Sequence, residues 1–261
     1  MKLFRTISSS DNFNRLKLKF FKNSNIFFKL KRFLPSTSES LRTKLISDFY
    51  NIKVIIDIGA NKGQFSEQQL ILGYKGKIVS FEPSQNAHDA LSKRAEKYAN
   101  WTVHEPLAIG EKDSELEFHE YTDSVFNSFL KVKEDFRKDK DYLKDVVVRK
   151  VKVARLDDLL PSILTSESDN FLLKIDTQGY EKQVLEGCKN YIKKASIIKI
   201  EIPVKAMYEN VEWTFYDTIE YMKELNFHPI NFDIEGVNKN GIVRTIDMSF
   251  LNTNMHKLHA N

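Results

Sequence analysis

The sequence predicts an α/β protein: an open, mostly parallel sheet with helices on both faces. Three observations support this. An apolar run, Val54-Ile55-Ile56, leads directly into Asp57-Ile58-Gly59-Ala60-Asn61-Lys62-Gly63. A second run, Ile78-Val79-Ser80-Phe81, ends on Glu82, nineteen residues beyond Gly63. Strand-like and helix-like periods then alternate through most of the remaining chain.

In chain order, residues 53–58 read as a short buried strand, 64–72 as a helix and 77–82 as the next strand. Residues 85–98 are helical, with Ala87, Ala90, Leu91, Arg94 and Ala95 at helical spacing. Residues 101–109 read as a third strand, and 115–121 as another after the turn at Gly110. Residues 121–145 break the rhythm with aromatics and charges and read as an inserted helix or lid, since Phe126, Phe129, Phe136 and Leu143 suit burial. Strands are expected at 146–153, 171–175, 195–202, 227–232 and 243–251, and helices at 181–192 and 212–225.

Residues 35–40, rich in Pro, Ser and Thr, read as a break. The organisation expected is therefore a basic aromatic arm over 1–40 and one domain over 41–261. Residues 1–34 hold nine Lys/Arg against one Asp, whereas the rest holds 31 basic and 35 acidic residues. The same 34 residues contain seven of the 19 phenylalanines. Basic residues among aromatics suit an anionic membrane surface, nucleic acid, or an arm packed on the domain with its lysines solvated. No apolar stretch approaches the roughly 20 residues that cross a bilayer. The start lacks the apolar core and cleavage site of a signal peptide. A single cysteine, Cys188, excludes an intrachain disulfide framework and fits a reducing cytoplasm. The location expected is cytoplasmic, with peripheral membrane contact through residues 1–34 as an option.

Strand, glycine loop, helix, strand and acid is how a βαβ unit holds a nucleoside, with the acid on the ribose diol. A dinucleotide site needs G-x-G-x-x-G so that a pyrophosphate can sit on the helix N-terminus. Here Gly59 and Gly63 are spaced G-x-x-x-G behind an acid, Asp57. A carboxylate there repels a pyrophosphate but suits a cation, such as the sulfonium and amino groups of S-adenosylmethionine. Asp57, Gly59, Ala60, Asn61 and Gly63 are thus expected around the methionine part and Glu82 on the ribose. Pro83, Ser84, Leu107 and Ala108 are expected near the adenine. A plain turn capped by Asp57 or Asn61 would leave Glu82 unexplained.

In open α/β sheets, ligands bind at the carboxyl ends of the strands. Those ends carry Asp57, Glu82, Asp176 and Glu201, four acids from four strands. Asp176 is the first candidate for taking a proton from an attacking hydroxyl, and Glu201 the second. Asp176 could alternatively cap the following helix or lie on the cofactor side. The two acids could also share a divalent cation, which no ligand spacing supports. His104 and His119 read as structural. No Ser-His-Asp order or nucleophile elbow is present, and no N/D-P-P-Y/F segment follows the strand that ends at Asp176, which disfavours base methylation of nucleic acid.

These residues resemble the FkbM family of S-adenosylmethionine-dependent methyltransferases. Residues 54–63 with Gln64-Phe65-Ser66 are similar to its first motif, and Phe81-Glu82-Pro83 to its second. Leu107-Ala108-Ile109-Gly110, Asn127-Ser128 and Leu156-Asp157-Asp158-Leu159 resemble further elements. The most specific block is Leu173-Lys174-Ile175-Asp176 through Gly179, Glu181, Val184-Leu185 and Gly187. The resemblance ends with Thr245 to Leu251 and leaves residues 1–40 outside. It implies a Rossmann-like class I methyltransferase fold, with a mostly parallel seven-stranded sheet, helices on both faces and an antiparallel last strand. It adds Phe65 and Ser66 to the cofactor side. It also implies O-methyl transfer to hydroxyls of macrolides or of sugars in bacterial surface glycans, the sugar being preferred. The other reading is a non-catalytic binding or membrane-associated module of the same fold.

Overall fold

The computed structural model describes residues 38–258 except 139, 165 and 167–169. The arm over residues 1–34, expected to meet a membrane or nucleic acid, lies outside the described residues. Among the described residues no helix is long and apolar enough to cross a membrane.

The first helix, α1 (Glu39–Phe49), begins inside the segment expected to be a break, because Ser38 Oγ accepts the Leu41 amide at 3.3 Å and caps it. Then follow β1 (Val54–Ile58), α2 (Gln64–Ile71), β2 (Lys77–Phe81), α3 (Gln85–Ala95) and β3 (Trp101–Val103). After these come β4 (Ala108–Ile109), β5 (Ser114–Tyr121), α4 (Glu134–Arg137), β6 (Val146–Ala154) and α5 (Leu156–Ile163). The remainder is β7 (Phe171–Ile175), α6 (Glu181–Glu186), β8 (Ala195–Pro203), α7 (Phe215–Glu224), β9 (Phe227–Val237) and β10 (Val243–Asn252).

Seven strands form one sheet in the order β3-β2-β1-β7-β8-β10-β9. The pairs among β3, β2, β1, β7 and β8 are parallel, and β10 lies antiparallel between β8 and β9. This is the Rossmann-like class I methyltransferase arrangement, antiparallel last strand included. Alternation along each strand fills two cores. Ile55, Leu172, Ile197 and Leu251 face Leu70, Tyr74, Leu91 and Ala95 on one side. Ile56, Leu173, Ile198 and Phe250 face Leu156, Leu160, Val184 and Met222 on the other. Cys188 is fully buried in the second core, as expected.

Several boundaries depart from the sequence reading. The single strand expected at 101–109 is two strands in two sheets, because Pro106 lacks an amide to continue the ladder. Its second half, β4, joins β6 and β5 in a separate three-stranded sheet, order β4-β6-β5. The helix expected at 181–192 stops at Glu186, followed by Gly187, where an added Cβ would lie 2.0 Å from the Gly110 carbonyl oxygen. The helix expected from 212 begins at Phe215 behind a capping box of Thr214 and Asp217. Among its described residues the insert holds a single α-turn, α4, yet Tyr121, Val132 and Leu143 build a core there with Tyr208, which follows β8.

Candidate active site

The carboxyl ends of β1, β2, β7 and β8 open into one cleft of about 350 Å³. Its floor is the β1–α2 loop. Gly59 has φ +71°, and a Cβ there would stand 1.9 Å from the Asp176 carbonyl oxygen, so the loop can lie against the end of β7 only as glycine. Gly63 has φ +80°, and a Cβ would strike Leu91 and Trp101 at 2.7 Å. It starts α2 with no side-chain cap, so neither Asp57 nor Asn61 serves that purpose.

Glu82 closes one side, buried at 5% exposure. Its Oε2 accepts the Asn61 amide at 2.8 Å and its Oε1 the Ser84 amide at 2.9 Å. Each oxygen keeps a further lone pair for a hydroxyl. Burial pushes this carboxyl up to about 7, against the two amides and Lys174, which pull it down. Leu107, Ala108, Phe118 and Phe129 supply an apolar wall beside it. The insert forms the roof, and Ser124 Oγ donates to Asn61 Oδ1 at 2.9 Å.

The other half of the cleft is charged. Asp176 and Glu201 both line it, as expected, and are joined by a residue the sequence reading did not single out. The Gln178 amide donates to Asp176 Oδ1 at 2.8 Å and to Glu201 Oε2 at 2.6 Å. Tyr208 donates its hydroxyl to Gln178 Oε1 at 2.9 Å, which orients the amide with its nitrogen toward both acids. Gln178 itself has φ +57°, a conformation costly for a side-chain-bearing residue. The buried Glu181 carboxylate accepts the Thr177 and Gly179 amides, each at 3.0 Å, and holds this loop in shape. Among the described residues no cluster of three or more His, Cys, Asp or Glu is arranged to hold a metal ion.

Asp57 departs from its expected place. It is fully buried below the cleft and does not line it. Its Oδ2 accepts Ser66 Oγ at 2.7 Å, and its Oδ1 lies 3.2 Å from Lys174 Nζ. Ser66 and Gly63 are likewise absent from the lining, whereas Gly59, Ala60, Asn61, Phe65, Pro83, Leu107 and Ala108 are present. The physical reason is β1's parity: Asp57 points between the sheet and α2, where only a paired charge can stay. Its partner Lys174 also reaches Asp176 Oδ2 at 3.3 Å and the Gly59 carbonyl at 3.2 Å. A charge on β1 therefore reaches the cleft through a lysine on β7.

These contacts divide the two acids. Burial alone would raise Asp176, but Lys174 and the Gln178 amide outweigh it and hold it below the usual carboxylate range. Burial, then the Asp176 charge, pushes Glu201 well above that range. A second lysine, Lys199, pairs with Asp247 and lies 3.3 Å from Glu39 Oε1, so α1 closes the far end of the cleft. Lys174, Gln178 and Asp247 lie in segments the sequence marks out but carry no role in that reading, and Lys199 and Tyr208 are not singled out at all. Only the alternation in β7 and β8, which puts a lysine among isoleucines and leucines, signals Lys174 and Lys199. His104 stacks on Phe81 and His119 is buried in β5, and neither lines the cleft.

Three solved structures are among those to which the chain is similar. TehB from Haemophilus influenzae is 12% identical, with 85% of this chain and 65% of that one covered, at a TM-score of 0.44. A precorrin-6y C5,15-methyltransferase from Geobacter metallireducens is 11% identical, covering 77% and 80%, at 0.41. Fibrillarin from Aeropyrum pernix, in complex with natively bound S-adenosyl-L-methionine, is 10% identical, covering 76% and 66%, at 0.42. No curated protein matches the chain. The profile of the methyltransferase FkbM domain matches residues 57–229, from the buried Asp57 through β7, Asp176 and Glu201 into β9. With that match over most of the sheet and the whole of the cleft's floor, this chain belongs to the FkbM family of S-adenosylmethionine-dependent methyltransferases.

Proposed function

We propose that the chain methylates a hydroxyl oxygen, that of a sugar in a bacterial surface glycan or its precursor. The observation that supports it is the pair Asp176 and Glu201, held by one Gln178 amide with opposite displacements of proton affinity.

The residues present fit the cofactor. Glu82 would accept both ribose hydroxyls, since its two oxygens are fixed by Asn61 and Ser84 and open toward the cleft. Gly59, Ala60, Asn61 and Phe65 would border the methionine part, and Pro83, Leu107 and Ala108 the adenine. When bound, S-adenosylmethionine supplies an electrophilic methyl on a sulfonium. Asp57 contributes at one remove, by holding the Lys174 ammonium beside Asp176.

Asp176 stays ionised at neutral pH and would accept the proton of the attacking hydroxyl. A weak base suffices. An oxygen that has gained a methyl is an oxonium, a strong acid, and a positioned carboxylate takes its proton. Glu201 holds its proton at higher pH than an ordinary glutamate and would donate that O–H to a neighbouring oxygen of the acceptor. Carboxylates surrounding the polar half, among them Glu39, Glu235 and Asp247, suit a polyhydroxylated acceptor. Incubating the full chain with methyl-carbon-13 cofactor and a panel of sugars and macrolides tests the reading. A methoxyl carbon resonance on a sugar is expected. Label on nitrogen or carbon, or none on any hydroxyl while the cofactor still binds, would sink it.

A further inference from the structure

We propose that the acceptor sugar carries a phosphate, and that Lys140, Lys205 and Arg244 form its phosphate subsite. A hollow of about 160 Å³ lies beside the cleft, between α4 and the rim of β8 and β10. Phe136, Lys140, Lys205, Asn238 and Arg244 line it, and so does one carboxylate, Asp135. The Phe136 ring carries Lys140 Nζ 3.8 Å from its centroid and the Arg244 guanidinium carbon 4.7 Å from it. Among the described residues none of the three cations forms an ion pair with a carboxylate, Asp135 included. An aromatic face positions a cation without neutralising it and leaves the guanidinium edge free for two parallel hydrogen bonds. Lys140 Nζ also donates to the Phe136 carbonyl, and three cations against one carboxylate leave the hollow with a net charge of +2 (three minus one), which favours a phosphate.

The position relative to the cleft is what ties the hollow to the reaction. Glu201, Glu235 and Asp247 line the cleft, while Lys205, Asn238 and Arg244 line the hollow. Arg244 lies three residues rimward of Asp247 on β10, and Lys205 and Asn238 lie just beyond the rim ends of β8 and β9. Phe136 and Met207, which line the hollow, pack in the cluster of Tyr208, whose hydroxyl holds Gln178 between the two acids. Three residues of strand span about 10 Å. A glycosyl unit with a phosphate handle covers such a distance. The acids of the cleft repel the phosphate and receive the hydroxyls, and the cations of the hollow do the reverse, so the acceptor enters in one orientation. The handle is a phosphate ester or diester, carried by a nucleotide in solution or by a polyprenyl lipid.

This rests on the sugar reading above, but its test does not use methyl transfer. Calorimetry on the full chain with S-adenosylhomocysteine compares a free hexose, inorganic phosphate, a glycosyl phosphate and a nucleoside-diphosphate hexose. A further arm uses phosphatidylcholine vesicles bearing a polyprenyl-diphosphate hexose. The glycosyl phosphate is expected to bind at least about tenfold more tightly than the free hexose, and Arg244→Gln and Lys205→Gln each to remove about tenfold. Binding of the nucleotide sugar supports a soluble carrier, and binding of the vesicles alone a lipid carrier. Lys205 is exposed, so its variant keeps the test readable if Arg244→Gln does not fold. Equal affinity for hexose and glycosyl phosphate, or unchanged phosphate affinity in folded variants, overturns the subsite and leaves the hydroxyl reading standing.

Discussion

Gly59 lies against the backbone of Asp176, so close that an added Cβ would stand 1.9 Å from the Asp176 carbonyl oxygen. The glycine-loop floor of the cleft and the first acid of its charged half are thereby fixed to one another. Gly59→Ala is expected to destabilise the protein by about 2 kcal/mol or more, from the clash and the positive φ together. It should also weaken S-adenosylhomocysteine binding. Thermal melts and calorimetry check both, and a variant with wild-type values for each would refute the close approach.

Asp176→Asn and Glu201→Gln should separate. Asparagine cannot take a proton, so transfer is expected to fall roughly 100-fold or more while cofactor affinity holds within a few-fold. Glutamine resembles the protonated Glu201 in shape and in having a donor, so that variant should retain much of the activity. Single-turnover rates with cofactor dissociation constants decide it. Equal losses in the two variants would abolish the division of roles, and a larger loss in Glu201→Gln would reverse it.

Cofactor affinity should rise with pH through about 7, the range in which Glu82 ionises, because ribose hydroxyls donate to the anion better than to the acid. Stability moves the other way. Folded Glu82 keeps its proton to about 7, whereas an unfolded glutamate loses it near 4.5, so the folded chain binds more protons between those values. The stability from this group is complete below about 4.5 and is lost as pH rises through about 7. Titrations of binding and of unfolding at several pH values, repeated with Glu82→Gln, measure the two slopes.

Lys174→Met would leave the carboxylates of Asp57 and Asp176 without the ammonium 3.2 and 3.3 Å from them. Stranding a buried charge costs about 3–5 kcal/mol. The double variant Lys174→Met with Asp57→Asn should recover part of that loss. Chemical denaturation of the three variants measures it, and strictly additive losses would contradict the coupling.

The sheet was legible because its strands are short, apolar and separated by turns, and because β1 and β2 flank a glycine loop with an acid at its far end. Glu82, Asp176 and Glu201 could be placed since strand ends fall on one rim. Asp57 was misplaced because a strand end fixes height and not the side of the sheet, and its parity turns it under α2. Gln178 and Tyr208 could not be paired: they meet across 30 residues of chain, between the turn after β7 and the segment after β8, a contact no period encodes. The three-stranded side sheet was hidden for a related reason, since β4 has only two residues.

The hydrogen bond from Ser124 to Asn61 makes the roof and the floor of the cleft a single span, and the same asparagine presents its backbone amide to Glu82. Whatever steadies one wall steadies the other. The two substrates are therefore expected to show reciprocal cooperativity, each raising the affinity for its companion by the same factor. Calorimetry with each ligand alone and with both, in the wild type and in Ser124→Ala, measures that factor, and an unchanged factor in the variant would break the link.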